Sequence, residues 1–143
     1  MVANAGVVDL LANFACSASA RGLDTSNVLV FTSDEETGRV ASDLGLTAFD
    51  ATDAFGAAPK SEARAYGDAV FAAMMYIKVV AVHLVSQLGY NVLFQDVDVV
   101  WFQDAVESIK SQGEGEFDAY FTDDGARSKV SHGAVVKKQH LAK

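Results

Sequence analysis

Residues 88–104 read LGYNVLFQDVDVVWFQD, and they carry the chain's most informative chemistry. Asp96 and Asp98 stand two apart at the end of the apolar run 91–95. If that run is a strand, side chains alternate and both carboxylates point to the same side. Two acids so placed repel each other, and a divalent cation relieves the repulsion. A ligand set made only of oxygen suits Mg²⁺ or Mn²⁺, which complete their octahedra with phosphate and water oxygens. A nucleoside diphosphate-sugar brings such oxygens, and a cation there offsets the charge that builds on the departing diphosphate. No protonated side chain is then needed at the leaving oxygen. A bare D-x-D is common and unspecific; here its setting adds weight. Val97, Val99, Val100 and Trp101 hold the acids at the edge of a core, where uncompensated charge is costly.

The elements that must position these acids follow from hydrophobic spacing. Residues 7–20 predict a helix through Val7, Leu10, Leu11 and Phe14, closed by Arg21-Gly22. Residues 27–32 (NVLVFT) form a short apolar strand of the kind buried on both faces of a parallel sheet. Ser33 with Glu36 three residues later predicts a capping box opening a helix that Gly45 ends. Residues 46–49 give a weak strand, and 51–61 a loop holding the single proline. Residues 62–88 are largely helical, with Val70, Met74, Ile77, Ala81, Val85 and Leu88 on one stripe. A second apolar strand spans 91–95, a short helix lies within 99–110, and a last strand covers 117–122. This alternation implies an α/β layered domain with a mostly parallel sheet. The tail after Gly125 is basic and weakly periodic; it reads as a frayed terminal helix or as an interrupted continuation.

Lys78 is the next candidate. On the helical wheel it lies at the edge of the apolar stripe, where a lysine can snorkel to water or reach an anionic ligand. Tyr90 and Trp101 read as core aromatics and His83 as solvated; His132 and His140, in the tail, receive no role.

Composition bounds the rest. The chain has 143 residues, half hydrophobic and 21% charged, as in a folded domain. Its net charge of −8 opposes binding to nucleic acid phosphates. Cys16 is the single cysteine, which excludes an internal disulfide and a cysteine-built metal site. The apolar run from Ala69 stops at Lys78, so no membrane span is expected. The N-terminal stretch lacks a basic region and carries Asp9 and Asn13, so no signal peptide is expected either.

The run 89–104 closely resembles the DxD signature of the nucleotide-diphospho-sugar transferases that include plant and algal arabinosyl- and xylosyltransferases (glycosyltransferase family 77). Residues 9–13, 27–35, 65–67 and 118–124 extend the resemblance over about residues 1–125. It implies a GT-A-like, Rossmann-type layered domain, a UDP-sugar donor, Mn²⁺ or Mg²⁺, a glycan or glycoprotein acceptor, retention of anomeric configuration, and residence in the Golgi lumen. Asp96 would contact the nucleotide ribose and the metal, with Asp98 the principal metal ligand. Lys78 would approach the donor diphosphate. Asn4 and Asp34 fall where the nucleotide base and ribose lie, and Asp123, beside Asp124, where the sugar lies. Ala105 stands where the family has proline, and the later acceptor-side segments and metal-binding histidine are not recognisable. The expected organisation is therefore a donor-binding part over 1–125 and an off-pattern basic tail over 126–143, with the C-terminal part of the fold missing. Two other readings stay open. One is a nucleotide-sugar-binding fragment without turnover. The other is a haloacid dehalogenase-type phosphohydrolase, in which Asp96-Val97-Asp98-Val99 would open the catalytic set and Thr122 and Lys129 would continue it.

Overall fold

The computed structural model describes residues 1–55, 58–59, 61, 63–111, 117–121 and 134–137. The chain divides into two compact units, Met1–Asp104 and Ala105–Lys143.

The first unit contains β1 (Val2–Ala3), a 3-10 turn at Ala5–Val7, α1 (Val8–Ala20), β2 (Leu29–Thr32), α2 (Glu35–Asp43), β3 (Thr47–Asp50), α3 (Thr52–Phe55) and α4 (Ala69–Gln87). The three strands pair in parallel in the order β1-β2-β3, with Val2 opposite Phe31 and Phe31 opposite Phe49. Two successive strand–helix–strand units generate that order, which confirms the α/β reading with a parallel sheet.

Alternation along β1 and β2 sorts the core onto two faces. Ala3 and Val30 face α1 and α2, where Leu11, Phe14, Ala15 and Ala41 close a buried cluster with Leu46 and Val97. Val2 and Phe31 face the other way, against Ile77 and Ala81 of α4, with Phe55 of α3 and Phe94 packed alongside. The sheet is thus covered on both faces, which is why β2 is apolar up to Thr32 at its end.

Caps set the helix limits, and two differ from the sequence reading. α2 is capped by Asp34, not Ser33: Asp34 Oδ1 accepts from the Thr37 backbone N–H at 2.8 Å. Ser33 is buried, and its hydroxyl donates instead to the Pro59 carbonyl at 2.8 Å. α4 begins at Ala69 rather than near 62 because Asp68 stops the preceding turn. Its Oδ1 accepts from Phe71 N at 2.7 Å, and its Oδ2 from Arg64 N at 2.9 Å and Ala65 N at 3.1 Å. Gly89, at φ 84°, ends α4 as expected.

The strand expected at 91–95 joins no ladder among the described residues. β1 is only two residues long and offers few backbone groups on its free edge. The alternation of a strand nonetheless survives: Phe94 turns to the α4 face, and Val97 to the α1 face.

The expected absence of a membrane-spanning segment needs correction on length and composition. Lys78 does not interrupt α4, and this 19-residue helix, with mean hydropathy 1.9, is long and apolar enough to cross a bilayer. Here it lies on the sheet through Ile77 and Ala81.

The second unit holds α5 (Ala105–Lys110) and a two-stranded antiparallel pair, β4 (Phe117–Phe121) with β5 (Ala134–Lys137). The sequence reading gave β4 nearly these limits and left the tail as a frayed terminal helix or an interrupted continuation. Residues 134–137 are instead a strand, in keeping with the β-branched Val135 and Val136.

Phe14 is fully buried and meets the edge of Trp101 at 5.4 Å between ring centroids. Phe14→Ala is expected to cost about 3–5 kcal/mol, most of the stability of a small domain. Urea denaturation checks this; a loss under about 1 kcal/mol would mean that the cavity refills. Acid should loosen α4. Backbone hydrogen bonds, that from Phe71 first, hold the Asp68 carboxyl below its ordinary 3.8. The stabilisation is therefore present above pH 3.8 and is lost as pH falls through the lower folded value. Asp68→Asn keeps a capping side chain without the titration, so its helicity, followed by circular dichroism, should show less dependence on pH in that window than the wild type.

Candidate functional site

α4 is the rail on which the site is built. Met74, on its inner face, places its sulfur 3.8 Å from Asn4 Nδ2. Lys78 follows one helical turn later, about 6 Å along the axis. It comes directly after the buried Ile77, so its stem starts against the core and its ammonium reaches outward. There it meets Asp96, Nζ to Oδ1, at 2.6 Å. The pair is open to solvent, the side chains being 22% and 49% exposed. Two residues singled out separately in the sequence are thus in direct contact.

The D-V-D segment is a turn, not a strand end: Val99 N donates to the Asp96 carbonyl at 3.4 Å. The inferred strand pleat therefore does not set the direction of the two acids. Val97 does so instead. Its side chain is buried in the cluster around Phe14, and its neighbours Asp96 and Asp98 are both exposed. Unlike Asp96, the Asp98 carboxylate has no hydrogen bond or ion pair to a described residue.

A side-chain clasp closes this turn. Trp101 Nε1 donates to Gln95 Oε1, joining the residues just before and after the 96–100 segment. The Trp101 ring stands edge-on to Phe14 at 87°, which ties the clasp to α1. Gln95 Nε2 is buried without a partner among the described residues. Sequence reasoning took Trp101 as a core aromatic and missed Gln95. The available signal was an indole, which can only donate, six residues after an amide that can accept.

Asn4 and Asp34 occupy the carboxyl ends of β1 and β2, but their polar atoms are spent within the fold. Asn4 is 1% exposed; its Nδ2 donates to Pro59 O at 3.1 Å and Ser61 O at 2.9 Å, and its Oδ1 accepts from Gly6 N at 3.1 Å. Both amide hydrogens are used, so Asn4 anchors the loop before α4 rather than offering donors to a ligand. Asp34 Oδ2 accepts from Ala5 N at 3.0 Å while Oδ1 caps α2, so one carboxylate joins the end of β1 to the start of a helix. In this structure the bonds of both residues run within the fold. Beside them, Thr32, Asp34, Glu35, Gly38, Arg39 and Asp50 help to line a shallow hollow of about 410 Å³ between α2 and the carboxyl ends of β2 and β3.

Asp96 lies toward the start of β1 rather than its end. It acts electrostatically on the Met1 amine, which burial pushes down to about 6 while the Asp96 charge opposes that shift. Asp123, with Asp124, Thr122 and Lys129, falls outside the described residues.

Among the described residues no group of three or more His, Cys, Asp or Glu side chains gathers as a ready-made metal cage. Two outward carboxylates fit a hard divalent cation that takes its remaining ligands from phosphate and water. They do not fit zinc, whose sites favour nitrogen and sulfur donors.

No solved structure matches the chain. An Arabidopsis thaliana protein named UDP-D-xylose:L-fucose alpha-1,3-D-xylosyltransferase is 52% identical over 40 residues, 28% of this chain and 10% of that protein. UDP-D-xylose:L-fucose alpha-1,3-D-xylosyltransferase 3, from the same plant, is 48% identical over 44 residues, 29% of this chain and 10% of that protein. The chain thus spans about a tenth of the length of the curated relatives it matches. The match to the family described as nucleotide-diphospho-sugar transferase runs over residues 24–134, beyond the 125 at which the resemblance in sequence was expected to end. It does not favour the phosphohydrolase reading of Asp96-Val97-Asp98-Val99. With most of its length inside that match, the chain belongs to the nucleotide-diphospho-sugar transferase family.

Proposed function

We propose that this chain forms the donor-binding part of a metal-dependent glycosyltransferase. In this reading it moves a sugar from a UDP-sugar to a glycan or glycoprotein acceptor, with retention of configuration, in the Golgi lumen. The relatives' names make a UDP-pentose such as UDP-xylose the first donor to try. The observation that carries the reading is the D-V-D turn. Burial of Val97 and the Gln95–Trp101 clasp hold Asp96 and Asp98 outward, Asp96 against the ammonium of Lys78.

Asp96 and Asp98 would hold Mn²⁺ or Mg²⁺, and the ion would supply positive charge against the departing diphosphate. Lys78 adds a second positive charge on the same side, carried by a helix fixed through Ile77 and Ala81. Positive charge carried close to where negative charge develops favours that state. Asn4 and Asp34 serve the site indirectly, by holding the loop before α4 and the start of α2 at the edge of the sheet.

Asp98→Asn and Asp96→Asn should each weaken Mn²⁺-dependent binding of UDP by an order of magnitude or more and lower transfer from UDP-xylose by about 10²-fold. Calorimetry with UDP and Mn²⁺, and product analysis with a panel of UDP-sugars, check both. Unchanged UDP affinity in Asp98→Asn, with the fold intact, would sink the reading. UDP binding by the wild type without turnover would instead support a nucleotide-sugar-binding module.

The clasp gives a separate expectation. Gln95→Met and Trp101→Phe remove the same hydrogen bond while keeping most of the apolar bulk. Each should reduce UDP–Mn²⁺ affinity about fivefold, equivalent to about 1 kcal/mol. The double variant should be little worse than either single one, because both changes break one interaction. Fully additive losses would show that the two residues act independently.

A further inference from the structure

The contact between Lys78 Nζ and Asp96 Oδ1, at 2.6 Å, places a protein cation on a carboxylate that the proposed function gives to a divalent ion. An ammonium and a divalent cation on one carboxylate repel strongly at such separations. We propose that Lys78 couples cation binding to diphosphate binding: it holds the place beside Asp96 until a divalent cation displaces it, and the released ammonium then meets the diphosphate. This rests on the reading of Asp96 and Asp98 as cation ligands.

Three features favour such an exchange. First, the pair is weak enough to yield: with Asp96 about half exposed, water screens the attraction and competes for both groups. Second, the lysine can move without its helix. Ile77, the preceding residue, is 3% exposed and keeps α4 on the sheet, while the four-carbon stem of Lys78 allows the ammonium to swing. Third, the two acids differ. Asp96 is paired, whereas Asp98 is exposed and has no partner among the described residues, so an arriving cation finds Asp98 first. The consequence is directional. Metal alone must compete with Lys78 and binds weakly, whereas metal with a diphosphate gains from the same lysine. A single side chain would thus favour the complete ligand over the bare ion, as a linkage between two sites requires.

The test uses the full chain and Mn²⁺ alone, with binding followed by water-proton relaxation, in the wild type, Lys78→Met and Lys78→Arg. Lys78→Met should bind Mn²⁺ roughly fivefold more tightly than the wild type, the scale of an exposed ion pair. Its UDP affinity at saturating Mn²⁺ should fall instead. Lys78→Arg retains a paired cation and should follow the wild type with Mn²⁺. In the wild type, added Mg²⁺ should shift the side-chain NMR resonances of Lys78, a reading that needs no variant to fold. Equal Mn²⁺ affinities in the wild type and Lys78→Met would overturn the coupling and leave the cation site standing. Tighter Mn²⁺ binding with unchanged UDP affinity, or no shift at Lys78, would also overturn the coupling alone. Absence of Mn²⁺ binding in every form, with helicity intact, would overturn the coupling and the cation site together.

Discussion

The site depends on the burial of Val97. Two carboxylates flank it, and both would sooner be far apart in water. The turn that displays them exists because the residue between them is drawn into the cluster of Leu11, Phe14 and Val30. Burying such a side chain is worth roughly 1.5–3 kcal/mol, enough to fix the direction of one turn against the repulsion of two exposed acids. Apolar burial here does electrostatic work: it keeps two negative charges near each other on one exposed turn. The same cluster receives Trp101, whose bond to Gln95 closes the far side of the turn. Core and candidate site are therefore not separate parts of the first unit; one side chain belongs to both.

The charge so concentrated has to be answered. In this structure the answer at Asp96 is Lys78, and α4 is what delivers it. A helix this apolar would be expected to bury much of its surface, yet Ile77 and Ala81 are its only fully buried residues. Its hold on the sheet is narrow but well placed, since Met74, Ile77 and Ala81 form one stripe and Lys78 stands at its margin. The result is a cation whose backbone position is fixed and whose tip is adjustable, which suits a group that must answer either a carboxylate or a phosphate.

Much of this was legible in the sequence. Apolar runs and helix periodicity gave α1, β2, α2 and β3 to within a few residues, and the resemblance around residues 89–104 led to the family that the match over 24–134 confirms. The failures share a physical character: each was decided by a partner distant in the chain. Ser33 matches a capping pattern, but the Pro59 carbonyl captures its hydroxyl and Asp34 takes over the cap. The strand-end position of Asn4 gave no sign that its amide donates to the Pro59 and Ser61 carbonyls, more than fifty residues on. Residues 91–95 have every local mark of a strand, yet strand formation needs a neighbour with backbone groups to share, and β1 supplies only two residues. In the tail the strand at 134–137 was not foreseen. The tail's basic composition hid Val135 and Val136, which pair with β4.

The unpaired state of residues 91–95 bears on how the site is held. In a paired strand, ladder hydrogen bonds would fix Asp96 through its backbone. Here Phe94 and Val97 anchor to opposite faces of the sheet, and the Gln95–Trp101 clasp spans the turn. Side-chain anchors fix a direction but leave the backbone more freedom than a ladder does. A turn held in this way can adjust to a cation of either Mg²⁺ or Mn²⁺ size without disturbing the sheet, since no sheet hydrogen bond would have to break. The looseness is bounded by contacts that reach across to other elements, Trp101 on Phe14 and Lys78 on Asp96. Loss of the ion pair on ligand binding would therefore free the Asp96 side of the turn as its own ligands take over the task of fixing it.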